Sequence, residues 1–302
     1  MQRNRISVSF YLFFIVLISL TKFIPDSKAD VASVKYTGAG SFFPAENCPL
    51  IMTNASVLFD IDYNEPSNRI DIRFEGNYTI YNPNASLNIT VAAPFSSEFK
   101  NLESTCIIKV DNDLKPFNFY QYHWSDPWAE YLDTVESGSL HSFVLTNITL
   151  VENSSVLIEY SFDAYMIPSV DDDQLRILYS VGTSRAWNGS ITERVEFKTH
   201  GKLPNSYSNE TAYFDNYIFT LTNFSDGRSY TWEWIDERID TNTIYISYYF
   251  PHHRNIRMLR TFTMFSLFFG VPIIVVVIIK ILDRKRKRLK AKLPDRLEVE
   301  KE

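Results

Sequence analysis

Apolar and polar residues alternate with a two-residue period through most of the chain. Within residues 69–80, Ile70, Ile72, Phe74, Tyr78 and Ile80 share one parity, and Asp71, Arg73, Glu75 and Asn77 share the other. Successive side chains of a strand point to opposite faces, so this pattern predicts a strand buried on one side only. The same period recurs at Val57, Phe59, Ile61 and Tyr63, at Ile158, Tyr160 and Phe162, and at Leu175, Ile177, Tyr179 and Val181. It returns at Val195 and Phe197 and at Ile244, Ile246 and Tyr248. Turn signals at Asn82-Pro83-Asn84, Asn188-Gly189 and Asp226-Gly227 separate the runs. An all-β ectodomain is therefore expected. Its roughly 230 residues are large for one sandwich, so two antiparallel β-sandwich domains are expected, over residues 30–167 and 168–257. The polar turn Pro168-Ser169-Val170-Asp171-Asp172-Asp173 marks the boundary.

Two apolar runs break the alternation. Residues 1–29 read as a signal peptide: Arg3 and Arg5 precede an apolar stretch over 6–20, and Ser27-Lys28-Ala29 offers small residues for cleavage. Residues 261–279 carry no charge, and as a helix they would extend about 28 Å, the thickness of a bilayer core. One transmembrane α-helix is expected over residues 258–282, bent at Pro272, with the lipid bilayer as partner. A basic cytoplasmic tail is expected over 283–302. Lys280, Arg284, Lys285, Arg286, Lys287 and Arg288 follow the span, as the positive-inside rule requires, and would contact the inner leaflet. The expected location is the cell membrane, ectodomain outside, with the endoplasmic reticulum membrane as the alternative.

Charge sharpens this picture. The net charge of −6 hides a segregation, with −14 over residues 30–260 and +5 from residue 261 onward. An acidic ectodomain repels polyanions, which argues against nucleic acid as a partner. Cys48 and Cys106 are the chain's two cysteines, and in an exported segment an even pair predicts a disulfide. Closing that loop would stabilise by about 4 kcal/mol. Nine N-glycosylation sequons, at Asn54, Asn77, Asn84, Asn88, Asn147, Asn153, Asn188, Asn209 and Asn223, all fall between the two apolar runs. Composition alone predicts about three. A glycan must point to solvent, and Asn77, Asn88 and Asn147 occupy polar positions of their strands, so register and N-linked glycans agree.

The segment Gly76-Asn77-Tyr78-Thr79-Ile80-Tyr81-Asn82, the run Trp187-Asn188-Gly189-Ser190-Ile191 and Trp232-Glu233-Trp234 resemble an uncharacterised group of exported bacterial and archaeal β-sandwich proteins. Those proteins carry similar Tyr…Trp-x-Gly-x-Ile and Trp-x-Trp signatures. The resemblance implies a β-sandwich at a prokaryotic surface and carries no activity with it.

Catalytic signatures are sparse. The chain holds no Gly-x-Ser-x-Gly elbow, no His-Glu-x-x-His, no P-loop and no dinucleotide glycine motif. No catalytic residue and no cofactor is expected. The aromatic run ending in Tyr122, His123, Trp124 and Trp128 is a candidate ligand patch, because exposed Tyr and Trp anchor sugars and proteins at low entropic cost. The alternative is a strand buried between sheets. Asp171 and Asp173 offer hard oxygen ligands for Ca²⁺, against the alternative of a solvated turn. The expected function is non-catalytic binding, adhesion or envelope scaffolding by a single-pass glycoprotein with an unknown protein or carbohydrate partner. A lumenal subunit of a secretory or glycosylation complex is the alternative, and an ectoenzyme the third.

Overall fold

The computed structural model describes residues 34–40, 42–44, 49–121, 142–169, 172–208 and 215–250, the helix Val271–Lys292, and isolated positions between 256 and 270. The expected signal peptide lies outside the described residues. One sheet runs in the order β13 (Ser206–Tyr207), β16 (Ile244–Tyr249), β11 (Gln174–Ser180), β1 (Val34–Gly40), β5 (Leu87–Phe95), β9 (Ser142–Leu150) and β8 (Asn118–Gln121), with β2 (Phe43–Pro44) also on β5. The second runs β14 (Tyr217–Phe224), β15 (Gly227–Glu237), β12 (Ile191–Gly201), β3 (Ile51–Asn64), β4 (Arg69–Asn82), β10 (Ser154–Met166), β6 (Ile107–Val110) and β7 (Asp113–Leu114).

The strands fall where the alternation places them, except that Val181 begins the 3-10 helix Val181–Ala186, but the architecture differs from two antiparallel sandwiches. Both sheets are mixed: β1 runs parallel to β11, and β3 parallel to β12. Each of those pairs joins a strand from before residue 168 to one from after it. Residues from Val34 onward form one compact unit, and the polar turn at 168–173 is a connection within it. Face alternation specifies which side chains go inside; it does not say which strand lies next to which.

Aromatic side chains pin the second sheet. Phe197, Phe59, Phe74 and Phe162 are cross-strand neighbours on β12, β3, β4 and β10. All four are buried, with Phe59 and Phe197 stacked at 4.7 Å and Phe74 and Phe162 at 4.9 Å. Such pairs add about 0.5–1.5 kcal/mol each beyond the area they bury. A one-residue slip of any of these strands would put a phenylalanine in water.

Two further expectations are corrected. The helix Val271–Lys292 passes from the apolar run Ile273–Ile279 into Lys280 and the charges at 283–288. No helix among the described residues is long and apolar enough to cross a membrane. Only the second half of the uncharged run 261–279 lies in that helix, and the basic stretch makes up most of its remaining length, so the transmembrane helix expected over 258–282 is not found among the described residues. The predicted inner-leaflet residues Lys280, Arg284, Lys285, Arg286, Lys287 and Arg288 are exposed along the same helix. Cys106 is a free, buried thiol at the end of the short helix Leu102–Thr105, not half of a disulfide. Its partner in that expectation, Cys48, lies outside the described residues. Burial pushes the Cys106 thiol up to about 12. Sequence spacing cannot separate a disulfide cysteine from one that packs as a small hydrophobe.

Candidate functional site

The residues next to the phenylalanine row along each strand necessarily face outward. Lys198, Asp60, Arg73 and Asp163 therefore form a row of alternating charge across the outer face of β12, β3, β4 and β10. Two residues further along each strand the outward row is His200, Asp62, Asp71 and Tyr165. Asp60, Arg73 and Asp163 of the first row and His200, Asp62 and Asp71 of the second line an open groove of about 440 Å³ whose floor is Ile72 and Ala164 and whose rim includes Asp226, from the turn between β14 and β15. That volume is within the range of small-ligand clefts.

His200 is the best-held polar side chain here. Its Nε2 lies 2.9 Å from an Asp60 carboxylate oxygen and its Nδ1 lies 3.0 Å from Asp226 Oδ2. A ring with a carboxylate on each nitrogen satisfies both contacts only as a double donor. The ring packs against Phe224, with centroids 5.2 Å apart. The bond from His200 holds the Asp226 carboxyl below the usual carboxylate range. Arg73 Nε donates to Asp163 at 3.1 Å, and that bond raises the guanidinium above its ordinary value. Arg69 Nε donates to Asp71 at 2.8 Å while its guanidinium sits 4.1 Å above the Tyr165 ring. Asp62 and Asp71 face each other directly across the ladder, an arrangement that costs stability where cations do not offset it. Five carboxylates thus surround Arg73 and His200 in the groove.

The lining offers no hydroxyl or thiol nucleophile, and no group of three or more His, Cys, Asp or Glu among the described residues could hold a metal ion. What the groove can do is pair with positive charge.

The predicted sites are distributed elsewhere. Tyr122, His123, Trp124 and Trp128 lie outside the described residues, as does Asp171. The turn at 169–172 is closed by the Asp172 carboxylate, which accepts the Ser169 N–H at 3.1 Å. Asp173 is buried, and its carbonyl accepts the Phe250 N–H at 2.9 Å, so it extends the sheet rather than opening a cation loop. Asn209 lies outside the described residues; the other eight sequon asparagines are all exposed.

Their placement is uneven. The turns between β4 and β5 and between β9 and β10, and the start of β3, lie at one end of the sandwich. Asn84 and Asn153 sit on those turns and Asn54 and Asn88 near the strand ends beside them, Asn77 and Asn147 lie further along β4 and β9, and the Asn188 N–H donates to Leu50 at that end. Asn223 sits at the opposite end, on the edge strand β14. His200, Asp62, Asp71 and Asp226 of the groove lie toward that end, where Asn223 is the one described sequon. Its elements each show their alternation in the sequence, Asp60 with Asp62, Arg69 with Asp71 and Arg73, Lys198 with His200. The parallel pairing of β3 with β12, which brings His200 to Asp60, has no local signal.

No family model and no curated protein matches the chain. Among solved structures, a proposed nutrient-binding protein of Legionella pneumophila superposes with a TM-score of 0.53 at 12% identity, covering 72% of each chain. It is one of 195 matching chains, so the likeness concerns a widely shared architecture and shows the fold alone.

Proposed function

We propose that the chain is an exported, glycan-bearing, non-catalytic binding protein whose outer groove on the second sheet receives a basic segment of a partner protein. The observation that carries this reading is the partition of the surface. Seven described sequons gather at one end, while the groove of Asp60, Asp62, Asp71, Asp163 and Asp226 lies toward the other. Glycans keep macromolecules off the surface they cover, so contact falls to the end that carries Asn223 as its one described sequon. Complementary charge there speeds encounter and rejects acidic partners. The groove's volume favours a second reading, a small cationic solute, which agrees in class with nutrient binding, the role proposed for the Legionella neighbour. Both readings belong to the secretory route that glycosylates asparagine, and the resemblance to exported sandwich proteins points the same way.

Amine crosslinking of the native glycoprotein, followed by peptide mapping, tests the proposal. Lys198 and Lys202 flank the groove, whereas Lys109 and Lys115 lie on the far strands β6 and β7 or next to them. Intermolecular crosslinks concentrated on Lys198 and Lys202 are expected. Crosslinks confined to Lys109 and Lys115 would overturn it, and an absence of protein crosslinks would move the reading to the small solute.

A further inference from the structure

The sheets end in four edge strands, and three of them are short. β7 and β13 have two residues each and β8 has four. Short edges are one of the ways in which folded proteins avoid pairing with other chains. β14 is different. It has eight residues, Tyr-Ile-Phe-Thr-Leu-Thr-Asn-Phe, with no charge and no proline, and among the described residues no strand pairs with its outer side. Ile218 is 52% exposed and Leu221 41% exposed, and Thr220, Thr222 and Asn223 are exposed too. At about 3.4 Å per residue the strand extends roughly 27 Å.

We infer that β14 is the chain's self-association edge, pairing antiparallel with β14 of a second copy about a two-fold axis perpendicular to the sheet. The occupant follows from composition. A two-fold pairing sets each strand against its own sequence, so any charge would meet a like charge, which destabilises a cross-strand pair. β14 is free of charge over its whole length, whereas the outward positions of β12 in the same sheet include Arg194, Glu196 and Lys198. An edge selected for a charged foreign strand would carry the complement. Centred on Thr220, the pairing keeps outward residues outward, with Thr220 opposite Thr220 and Ile218 opposite Thr222. Phe219 then lies opposite Leu221, extending apolar contact along the inner side. Asn223 lies near one end of the strand, so a glycan there leaves the centre open. This inference stands apart from the groove and does not depend on it.

Sedimentation equilibrium of the full glycosylated chain, with charge exchange on β14, tests it. Thr220 and Thr222 face outward, so their replacement leaves the core untouched. The wild type is expected to be a dimer, and both the T220K/T222K and the T220E/T222E variants monomers. Mixing the two in equal amounts is expected to restore the dimer. The variant Ile218→Asn creates an Asn-Phe-Thr sequon on the same edge, and its glycan is expected to abolish pairing; it decides the matter if a double variant does not fold. A monomeric wild type overturns the inference. So does a wild-type dimer that persists in all the variants, as association through the exposed apolar residues Ile273–Ile279 would, or a Lys/Glu mixture that stays monomeric.

Discussion

His200 shows how one side chain is defined by its neighbours: carboxylates bond both ring nitrogens and Phe224 covers one face. The consequence can be read at Asp226. Its folded-state carboxyl lies below its unfolded value because of the His200 bond, so the bond stabilises above the unfolded carboxylate value of about 3.9. That stability disappears as pH falls through the lower folded value. Urea midpoints of wild type and Asp226→Asn should therefore differ at neutral pH and converge in acid; a gap that widens in acid would contradict the assignment. Cys106 makes a second residue-level case. A buried thiol pushed up to about 12 is unreactive while folded. Alkylation at pH 8, followed peptide by peptide, should spare Cys106 in the native protein and label it fully in denaturant without reductant. A disulfide would leave it unlabelled in both. Asn82 is buried, its side-chain amide donating to Ala85 at 3.0 Å and its oxygen accepting the Asn84 N–H at 3.0 Å. Asn82→Ala strands those groups, and chemical denaturation should show a loss of about 1–3 kcal/mol.

At the scale of elements, the phenylalanine row fixes the groove. Phe59 touches Phe197 and Phe74 from neighbouring strands, and Asp60, one residue on, faces outward as a result. Phe59→Ala should cost about 3–5 kcal/mol of unfolding free energy, and a cost under about 1 kcal/mol would show that the row does not hold these strands. Much of this was legible beforehand. Ile70, Ile72, Phe74, Tyr78 and Ile80 are buried and Asn77 is exposed, as the two-residue period requires. The pairing was not legible, because a strand's own residues say which face is wet and not which neighbour will bond its edge. Thus β3 finds β12 across more than a hundred intervening residues, and the expected two-domain boundary dissolves into a crossover. The apolar run at 261–279 misled for a related reason: its composition specifies a greasy segment, whereas the helix Val271–Lys292 that takes up its second half carries eight basic residues from Lys280 onward. The aromatic patch at 122–128 was read from composition, while the groove arises from distant strands and left no contiguous motif.

For the whole molecule, the account rests on an asymmetric surface: sequons gathered at one end, charge concentrated on an open groove toward the other, and an uncharged edge strand beside them. On the proposed reading, glycopeptide mapping of the chain should find Asn54, Asn77, Asn84, Asn88, Asn147, Asn153 and Asn188 occupied, since all are exposed. Bare asparagines throughout that end would remove the partition. The most direct measurement compares partner recovery by three forms of the native glycoprotein after crosslinking: wild type, Asp62→Lys and Ser155→Lys. Asp62 is exposed inside the groove, and Ser155 is exposed near the sequon-rich end. Recovery should fall at least about tenfold for Asp62→Lys, which corresponds to about 1.4 kcal/mol, and stay at the wild-type level for Ser155→Lys. Undiminished recovery with Asp62→Lys, or an equal loss with Ser155→Lys, would contradict binding at the groove.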